Sequence, residues 1–308
     1  MEKILQWGLD CIRLVQTGAN PQLTVFMKTI TELGSAYAYL ILIPLIYWCI
    51  DEKKCTRLAV AVLISVWINT ALKLLLDQPR PFFAGYDPSV DIAGISEKLG
   101  GLPSGHAQNS LVLWVIIASW SKKKWPYFAA GFLCLLIGFS RVYLGMHFPT
   151  DIIGGWLLAG LVLCGYFLAG KRIEDLLAAR GSRSGLITGA ALSFIMILYR
   201  PAADVLMPAG MILGLAIGYY LCKRYAGFSA SSVMGRTGAA KFLILGIRFL
   251  LGITVMILLY VLSGKIVHRF EESGNYHLYA YLRYALTALW VFAGAPWLFR
   301  FLRLAESG

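Results

Sequence analysis

Nine apolar runs, separated by short polar connections, dominate this sequence. Several fall short of the roughly 20 residues that a bilayer-spanning helix needs, so we expect their ends to be capped by polar groups or buried within a bundle. With 58% hydrophobic and 14% charged residues, the chain is too apolar for a two-domain soluble enzyme. The sequence therefore predicts an all-α, polytopic membrane helical bundle with about nine transmembrane spans. The runs lie at about 34–50, 57–76, 106–120, 125–142, 152–170, 185–199, 206–222, 242–263 and 279–299.

Lys and Arg are concentrated on one face of this predicted bundle. If the runs alternate in direction, sixteen of the 28 basic residues fall on that face, and every short connection there is basic. By the positive-inside rule this face is cytoplasmic, which puts the N-terminus outside and the C-terminus inside. The net charge of +12 is thus a topology signal and does not indicate a nucleic-acid partner. The sixteen residues are Lys53, Lys54, Arg57, Lys122, Lys123, Lys124, Lys171, Arg172, Arg180, Arg183, Lys223, Arg224, Arg236, Lys241, Arg300 and Arg303.

The first 33 residues have a different, amphipathic pattern. Polar residues such as Glu2, Lys3 and Asp10 interrupt any apolar stretch, so no secretory signal is expected. Apolar residues recur there at helical spacing, and a second such segment follows Pro21. We predict interfacial amphipathic helices that lie in the membrane surface over residues 1–33, with a frayed, soluble tail as the alternative.

The hexapeptide from Gly101 to His106, Gly-Leu-Pro-Ser-Gly-His, stands at the mouth of an apolar run. A tight Pro-Ser-Gly turn ahead of a helix leaves backbone N–H groups free, and the helix dipole there favours an anion, phosphate above all. Ser104 would also be an ordinary helix N-cap. On its own the hexapeptide leaves both interpretations open.

Two further patterns flank this hexapeptide, Lys-x6-Arg-Pro before it and Ser-Arg-x5-His-x3-Asp after it. With Pro-Ser-Gly-His between them, these signatures have the order and spacing of the type 2 phosphatidic acid phosphatase superfamily, which the chain strongly resembles. That superfamily also includes the glucose-6-phosphatases and the vanadium haloperoxidases. The resemblance covers residues 73–151 without a departure at any signature position. Those positions are Lys73, Arg80, Pro81, Pro103, Ser104, Gly105, His106, Ser140, Arg141, His147 and Asp151.

The resemblance implies a six-helix transmembrane phosphatase core. In this chain that core would occupy residues 34–222, after the interfacial helices of residues 1–33. Residues 223–308 carry no recognised signature and form a C-terminal transmembrane extension of unknown role.

The resemblance also implies a metal-independent phosphoryl-transfer site. His147 matches the nucleophile that forms a phosphohistidine intermediate, Asp151 would hold its tautomer, and His106 would act as general acid and base. Three cationic side chains take the place that Mg²⁺ holds in other phosphoryl-transfer sites, so no metal and no cofactor is expected. The implied phosphate ligands are Lys73, Arg80, Ser104, Gly105 and Arg141.

Plainer structural explanations exist for several residues. Lys73 ends an apolar run and could snorkel to the interface, and Asp151 could serve the dipole of the next helix. His268 and His277 are predicted to lie in a separate polar loop, which is either solvated or has a gating or head-group role. The loop over residues 82–102 is either a cap on the site or an ordinary exposed loop.

No extracytoplasmic pair of cysteines is available for a disulfide.

All three signatures fall on the face opposite the basic connections, so the predicted active site is extracytoplasmic. The predicted function is hydrolysis of a lipid phosphate or pyrophosphate at the outer leaflet by an integral membrane phosphatase, with a membrane lipid as its partner and a homodimer left open. The alternatives are glucose-6-phosphatase-like hydrolysis of a soluble monoester, phosphoryl transfer to another lipid, and a non-enzymatic anion transporter or sensor. His106, His147 and Asp151 disfavour the transporter, because anion passage needs no nucleophile.

Overall fold

A computed structural model describes residues 2–83, 88–92, 100–181, 183–200, 202–233 and 238–305. The regular elements in these ranges are all helices, which confirms the predicted all-α fold. Residues 84–87 and 93–99 of the predicted loop over residues 82–102 lie outside the described residues, as does the basic residue Arg236. The helices are α1 Glu2–Gln16, α2 Pro21–Glu32, α3 Ala36–Cys49, α4 Glu52–Leu76, α5 Gly105–Ser119, α6 Trp125–Tyr143, α7 Pro149–Ala179, α8 Ser184–Tyr199, α9 Ala203–Leu221, α10 Ala239–His268, α11 Tyr276–Leu289 and α12 Ala295–Phe301, with a 3₁₀ turn at Pro88–Val90 and π-helical segments at Cys222–Ala226 and Trp290–Gly294.

Within the described residues, six helical segments are long and apolar enough to cross a membrane, so the chain is a multi-pass membrane protein. Helices α2 and α3 pass the same test only as a pair, bent by 47°. Helices α5 and α8 have 15 and 16 residues, fewer than the roughly 20 that a span needs. Each apolar run thus falls on a helix, but the predicted count of nine spans is not confirmed. The six segments are Glu52–Leu76, Trp125–Tyr143, Pro149–Ala179, Asp204–Ala226, Ala239–His268 and Tyr276–Phe301.

Both predicted N-terminal helices form. In α2 the Asn20 side chain caps the helix by accepting the Leu23 N–H at 2.9 Å, and Pro21 occupies the first turn, where its missing N–H costs nothing. Met27 and Thr31 lie one turn apart on the buried face of this helix. The position of the two helices in a membrane surface stays a prediction.

Packing divides the chain into two compact units. All three signatures fall in unit 1, and the segment from Leu168 onward falls in unit 2. Each unit combines segments that are separate in the sequence, whereas the predicted domain ranges are continuous. The predicted ranges therefore stay predictions. Unit 1 comprises Met1–Tyr39 and Ile68–Phe167, and unit 2 comprises Leu40–Trp67 and Leu168–Gly308.

In unit 1, α1 packs against the turn between α6 and α7. Leu5, Leu9 and Ile12, on one face of α1, share an apolar cluster with Phe148. Gly8 permits this approach, because a Cβ there would lie 2.7 Å from the Phe148 ring. The N-terminal segment is therefore part of the core of unit 1, and the alternative of a frayed tail is not supported.

In unit 2, three glycines on one face of α9 bring two helices close together. Gly210, Gly214 and Gly218 follow one another at four-residue intervals. A Cβ on Gly210 would lie 2.5 Å from the Tyr281 carbonyl oxygen of α11, and one on Gly218 would lie 2.8 Å from the Phe292 side chain. Small residues at this spacing let helix backbones approach one another in membranes, where van der Waals packing drives association.

Arg248 of α10 is a fully buried cation in unit 2. Its guanidinium donates to the carbonyl oxygens of Leu304 at 2.7 and 3.0 Å, Ala230 at 3.1 Å and Trp48 at 3.3 Å, and also to that of Ser232. Five N–H donors in a planar fork let one arginine serve four carbonyls. These contacts tie the ends of several segments of unit 2 to α10.

Candidate active site

The Lys-x6-Arg-Pro signature spans the end of α4 and the turn after it. Lys73 lies in the last turn of α4, is 5% exposed, and donates to the carbonyl oxygens of Gly100 and Gly101. Asp77 ends the helix in the left-handed region at a φ of 41°, which Asp tolerates better than most residues. The chain then turns inward, so that Arg80 is only 1% exposed. Because Lys73 points at buried carbonyls, snorkelling does not describe its position.

The Pro-Ser-Gly-His loop is held by buried polar groups. Asn69 Nδ2 donates to the Pro103 carbonyl at 3.2 Å and to Gln108 Oε1 at 2.8 Å. Ser104 is the N-cap of α5, since its hydroxyl accepts the Ala107 N–H at 3.4 Å. The N-cap interpretation of Ser104 is therefore correct, and its role as a phosphate ligand stays a prediction.

The other residues of this loop meet the start of α7. The Ser104 N–H donates to the Asp151 carbonyl at 2.9 Å, which joins the second signature to the third. Gly105 leaves space for Asn69, because a Cβ on Gly105 would lie 3.0 Å from Asn69 Oδ1. His106 is half-buried in the first turn of α5.

The Ser-Arg-x5-His-x3-Asp signature forms the turn between α6 and α7. Gly145 has a φ of 72° and faces the Val90 carbonyl, which a Cβ would overlap, so the turn requires glycine. His147 Nδ1 lies 3.1 Å from Asp151 Oδ2, and the same oxygen accepts the Phe148 N–H at 3.0 Å. The four-residue spacing of the signature thus brings imidazole and carboxylate together, both essentially buried.

Arg80 contacts the other nitrogen of the imidazole. Its Nη1 lies 3.3 Å from His147 Nε2 and donates to the Met146 carbonyl at 3.0 Å. A guanidinium can only donate and an ionised carboxylate can only accept. The contacts with Arg80 and Asp151 therefore assign the neutral tautomer of His147 that carries its proton on Nδ1 and its lone pair on Nε2.

Gln78 completes the surroundings of the carboxylate, although the sequence did not single it out. Its side-chain Nε2 donates to Asp151 Oδ1 at 2.9 Å, and its main-chain carbonyl accepts the Gly101 N–H at 2.6 Å. A Cβ on Gly101 would lie 2.9 Å from Asp151 Oδ2. The available sequence signal for Gln78 was its place two residues before Arg80, inside the first signature.

Arg141 lies in the last turn of α6 and is 2% exposed. Its Nη1 donates to the hydroxyl of Thr31 in α2 at 3.3 Å. Sequence reasoning missed Thr31. The available sequence signal was a hydroxyl four residues after Met27 in a predicted amphipathic helix.

Cations dominate the electrostatics around His147. Burial lowers the pKa of His147 well below its ordinary value, because desolvation disfavours the charged imidazolium. Positive neighbours lower this pKa further, so the ring is neutral at neutral pH. Such a cluster of cations can bind an anion as highly charged as a phosphoryl group. The neighbours are Arg80, Lys73, Arg141 and His106, in decreasing order of effect.

Other candidate groups lie elsewhere. His268, in unit 2, is exposed and pairs with Glu271 at 2.6 Å between Nδ1 and Oε2. The six cysteines are free thiols. Among the residues that the structure describes, no group of three or more His, Cys, Asp or Glu side chains could hold a metal ion.

Two family models match the chain. The model of the PAP2 superfamily matches residues 54–174, a range that contains all three signatures. The model of the PAP2 superfamily phosphatase transmembrane extension matches residues 206–307, which include nearly all of the segment that carried no recognised signature.

The chain is also similar to curated proteins and to a solved structure. It is 24% identical to lipid phosphate phosphatase delta of Arabidopsis thaliana over 234 residues, 68% of this chain and 55% of the relative, so it spans about half of that protein. It is 34% identical to phosphatidylglycerophosphatase B of Bacillus subtilis over 157 residues, 47% of this chain and 73% of the relative. The crystal structure of a transmembrane PAP2-type phosphatidylglycerolphosphate phosphatase from Bacillus subtilis aligns with a TM-score of 0.47 at 25% identity, and covers 57% of this chain and 88% of that one.

Proposed function

Because the chain belongs to the PAP2 superfamily, we propose that it is a metal-independent integral membrane phosphatase that hydrolyses a lipid phosphate or pyrophosphate. The observation that carries this proposal is the buried series of contacts from Arg80 through His147 to Asp151. A neutral imidazole whose lone pair faces a guanidinium suits nucleophilic attack on a phosphoryl group that the same guanidinium binds. The lipid class is supported by the similarity to lipid phosphate phosphatase delta of Arabidopsis and to phosphatidylglycerophosphatase B of Bacillus.

Substrate binding frees the nucleophile. Before the substrate arrives, Arg80 donates to His147 Nε2. An entering phosphoryl group offers stronger, charged acceptors, so the guanidinium turns its donors to the phosphoryl oxygens and releases the lone pair. Lys73 and Arg141 bind the remaining oxygens together with N–H groups at the start of α5. Each charge-assisted contact contributes about 1.5–3 kcal/mol.

The reaction then proceeds in two displacements. In the first, a bond forms between His147 Nε2 and phosphorus, the bond from phosphorus to the leaving oxygen breaks, and His106 gives that oxygen a proton. Asp151 stabilises the positive imidazole through its contact with Nδ1–H. In the second, His106 takes a proton from water, the water oxygen bonds to phosphorus, and the bond to Nε2 breaks to release phosphate.

We place this reaction at the extracytoplasmic face, with the lipid tail remaining in the bilayer. The placement is supported by the distribution of Lys and Arg, because, if the nine apolar runs alternate in direction, the basic connections lie on the opposite, cytoplasmic face. Transfer to a second lipid differs only in the acceptor of the second displacement, and water is the simplest acceptor for a site that opens to the outside.

The test is release of phosphate by detergent-purified protein in EDTA, without added metal. The panel contains phosphatidic acid, phosphatidylglycerophosphate, undecaprenyl pyrophosphate, sphingosine 1-phosphate and glucose 6-phosphate. His147→Ala is compared with His277→Ala, which removes the same side chain from the first turn of α11 in unit 2. We expect release from a lipid substrate that the His277 variant retains and the His147 variant loses.

The other outcomes are also decisive. Preference for glucose 6-phosphate would favour a soluble monoester as substrate and contradict the lipid class. Release that survives the loss of His147, or no release from any substrate, would contradict the hydrolase. A phosphorylated intermediate trapped by rapid quench, stable in base and labile in acid, is expected for the phosphohistidine.

A further inference from the structure

Helices α1 and α2 precede both ranges matched by the family models, yet both pack against the turn between α6 and α7 that carries His147. Their role is therefore not given by the family signatures. We propose that α2 contributes to the phosphate site through Thr31, a positioning residue that orients Arg141 toward the phosphoryl oxygens. This inference rests on the proposed function of Arg141.

Helix α2 holds the end of α6 along one face. Thr24, Met27 and Thr31 follow one another at helical spacing on this face. The Thr24 hydroxyl lies 2.9 Å from the Tyr143 hydroxyl, Met27 packs in the same apolar cluster as Tyr143, and Thr31 accepts from Arg141. The contact of Thr31 with the Arg141 guanidinium is thus the last of three contacts between this face of α2 and the end of α6.

The position of α2 is itself fixed by the segment before it. Gln16, at the end of α1, donates through Nε2 to the carbonyl oxygens of Val90 and Tyr143, at 2.8 Å each. These bonds join the N-terminal helices to two carbonyls that are distant in the chain, at separations of 74 and 127 positions. They therefore anchor the end of α1, from which the chain leads into α2 and Thr31.

A neutral acceptor suits a guanidinium that must bind an anion. Thr31 and Arg141 are 3% and 2% exposed, so their contact is made away from bulk water. A carboxylate at this position would neutralise the arginine and compete with the substrate. A hydroxyl instead accepts one N–H, restricts the rotamers of a flexible side chain, and leaves the positive charge available.

The experiment compares three substitutions in the full-length protein. Thr31→Val removes the hydroxyl but keeps the branched shape, and Thr31→Ser keeps the hydroxyl. Thr24→Val is the matched control, because it removes a hydroxyl from the same face of the same helix where the partner is Tyr143. The measurements are KM, kcat, competitive inhibition by orthovanadate, direct calorimetric binding of inorganic phosphate, and Tm.

We expect Thr31→Val to weaken orthovanadate and phosphate binding and to raise KM by about tenfold, the size expected when a hydrogen bond to a charged group is lost. Tm should stay within about 3 °C of wild type, a smaller shift than most destabilising substitutions give. Thr31→Ser should restore most of the affinity, and Thr24→Val should bind phosphate as the wild type does.

Two results would overturn the inference: wild-type affinity in Thr31→Val, or an equal loss of affinity in Thr24→Val, which would make the effect one of general packing. Failure of the proposed function is recognised separately. If His147→Ala still releases phosphate, the hydrolase is wrong whatever Thr31 does. If His147→Ala is inactive while Thr31→Val binds phosphate normally, only the role of Thr31 is wrong.

Discussion

Gln78 donates its side-chain amide to Asp151 Oδ1 at 2.9 Å, although 73 residues separate the two in the chain. The other oxygen of Asp151 faces His147 Nδ1 and the Phe148 N–H. Gln78 thus links the Lys-x6-Arg-Pro turn to the carboxylate that orients the imidazole. A buried network of this kind holds its members in place only while each of them is satisfied.

Replacing Gln78 should therefore lower activity without unfolding the protein. We expect Gln78→Leu to reduce kcat/KM by about tenfold or more, because the carboxylate loses a donor and the imidazole loses its fixed orientation. Gln6→Leu is the matched control, since Gln6 donates to the exposed carboxylate of Asp10 at 3.3 Å. Equal rates for the Gln78 variant and the wild type would show that the contact does not matter to the dyad.

Gly101→Ala should damage the site by crowding it. The added methyl would lie 2.9 Å from Asp151 Oδ2, so either the loop or the carboxylate must shift, and the distance to His147 Nδ1 changes with it. We expect kcat to fall by about tenfold or more. Gly131→Ala, in α6 where no atom lies within 4 Å of the added methyl, should keep full activity.

The free protein should keep His147 neutral well into the acid range. Burial and the nearby cations lower its pKa, so as pH falls the ring takes up a proton only after an ordinary histidine has done so. In ¹⁵N-histidine NMR, assigned with His147→Gln, the midpoint of the His147 titration should lie well below that of an ordinary histidine. A midpoint near the ordinary value of about 6.5 would contradict the electrostatic picture.

Gly214→Ala should destabilise unit 2 rather than the chemistry. The added methyl would overlap the Ala285 carbonyl of α11, and overpacking of this kind costs about 1–3 kcal/mol. Gly246→Ala in α10 meets no atom within 4 Å and should leave Tm unchanged or slightly higher. The check is Tm in detergent. Equal Tm values for the two variants would mean that α9 and α11 do not pack this closely.

The fold class, the N-terminal helices and the meeting of His147 with Asp151 could all be predicted from the sequence. Apolar runs and helical periodicity report directly on burial. The pairing of His147 with Asp151 was implied by the resemblance of the third signature to the phosphatase superfamily. The number of spans could not be obtained in this way. Run length does not show whether a short helix such as α5 crosses the bilayer or is buried among its neighbours.

The supporting residues of the candidate site could not be predicted from the sequence, for a related reason. Asn69, Gln78 and Thr31 act through contacts with partners that are distant in the chain, at separations of 34, 73 and 110 positions. Such pairings depend on how the helices pack. A single amide or hydroxyl in a helical pattern has no periodicity of its own. Its partner becomes visible only in the folded chain.

The carbonyl cage around Arg248 imposes an order on biogenesis. A guanidinium in α10 enters the membrane during synthesis, but two of its contacts are with the Leu304 carbonyl, 56 residues later in the chain. Until those residues emerge from the ribosome, the positive charge has to be accommodated by water, lipid phosphates or the insertion machinery. Unit 2 can therefore settle only after residue 304 has been synthesised, and a nascent chain stopped before that residue would keep the charge of α10 without its carbonyl partners.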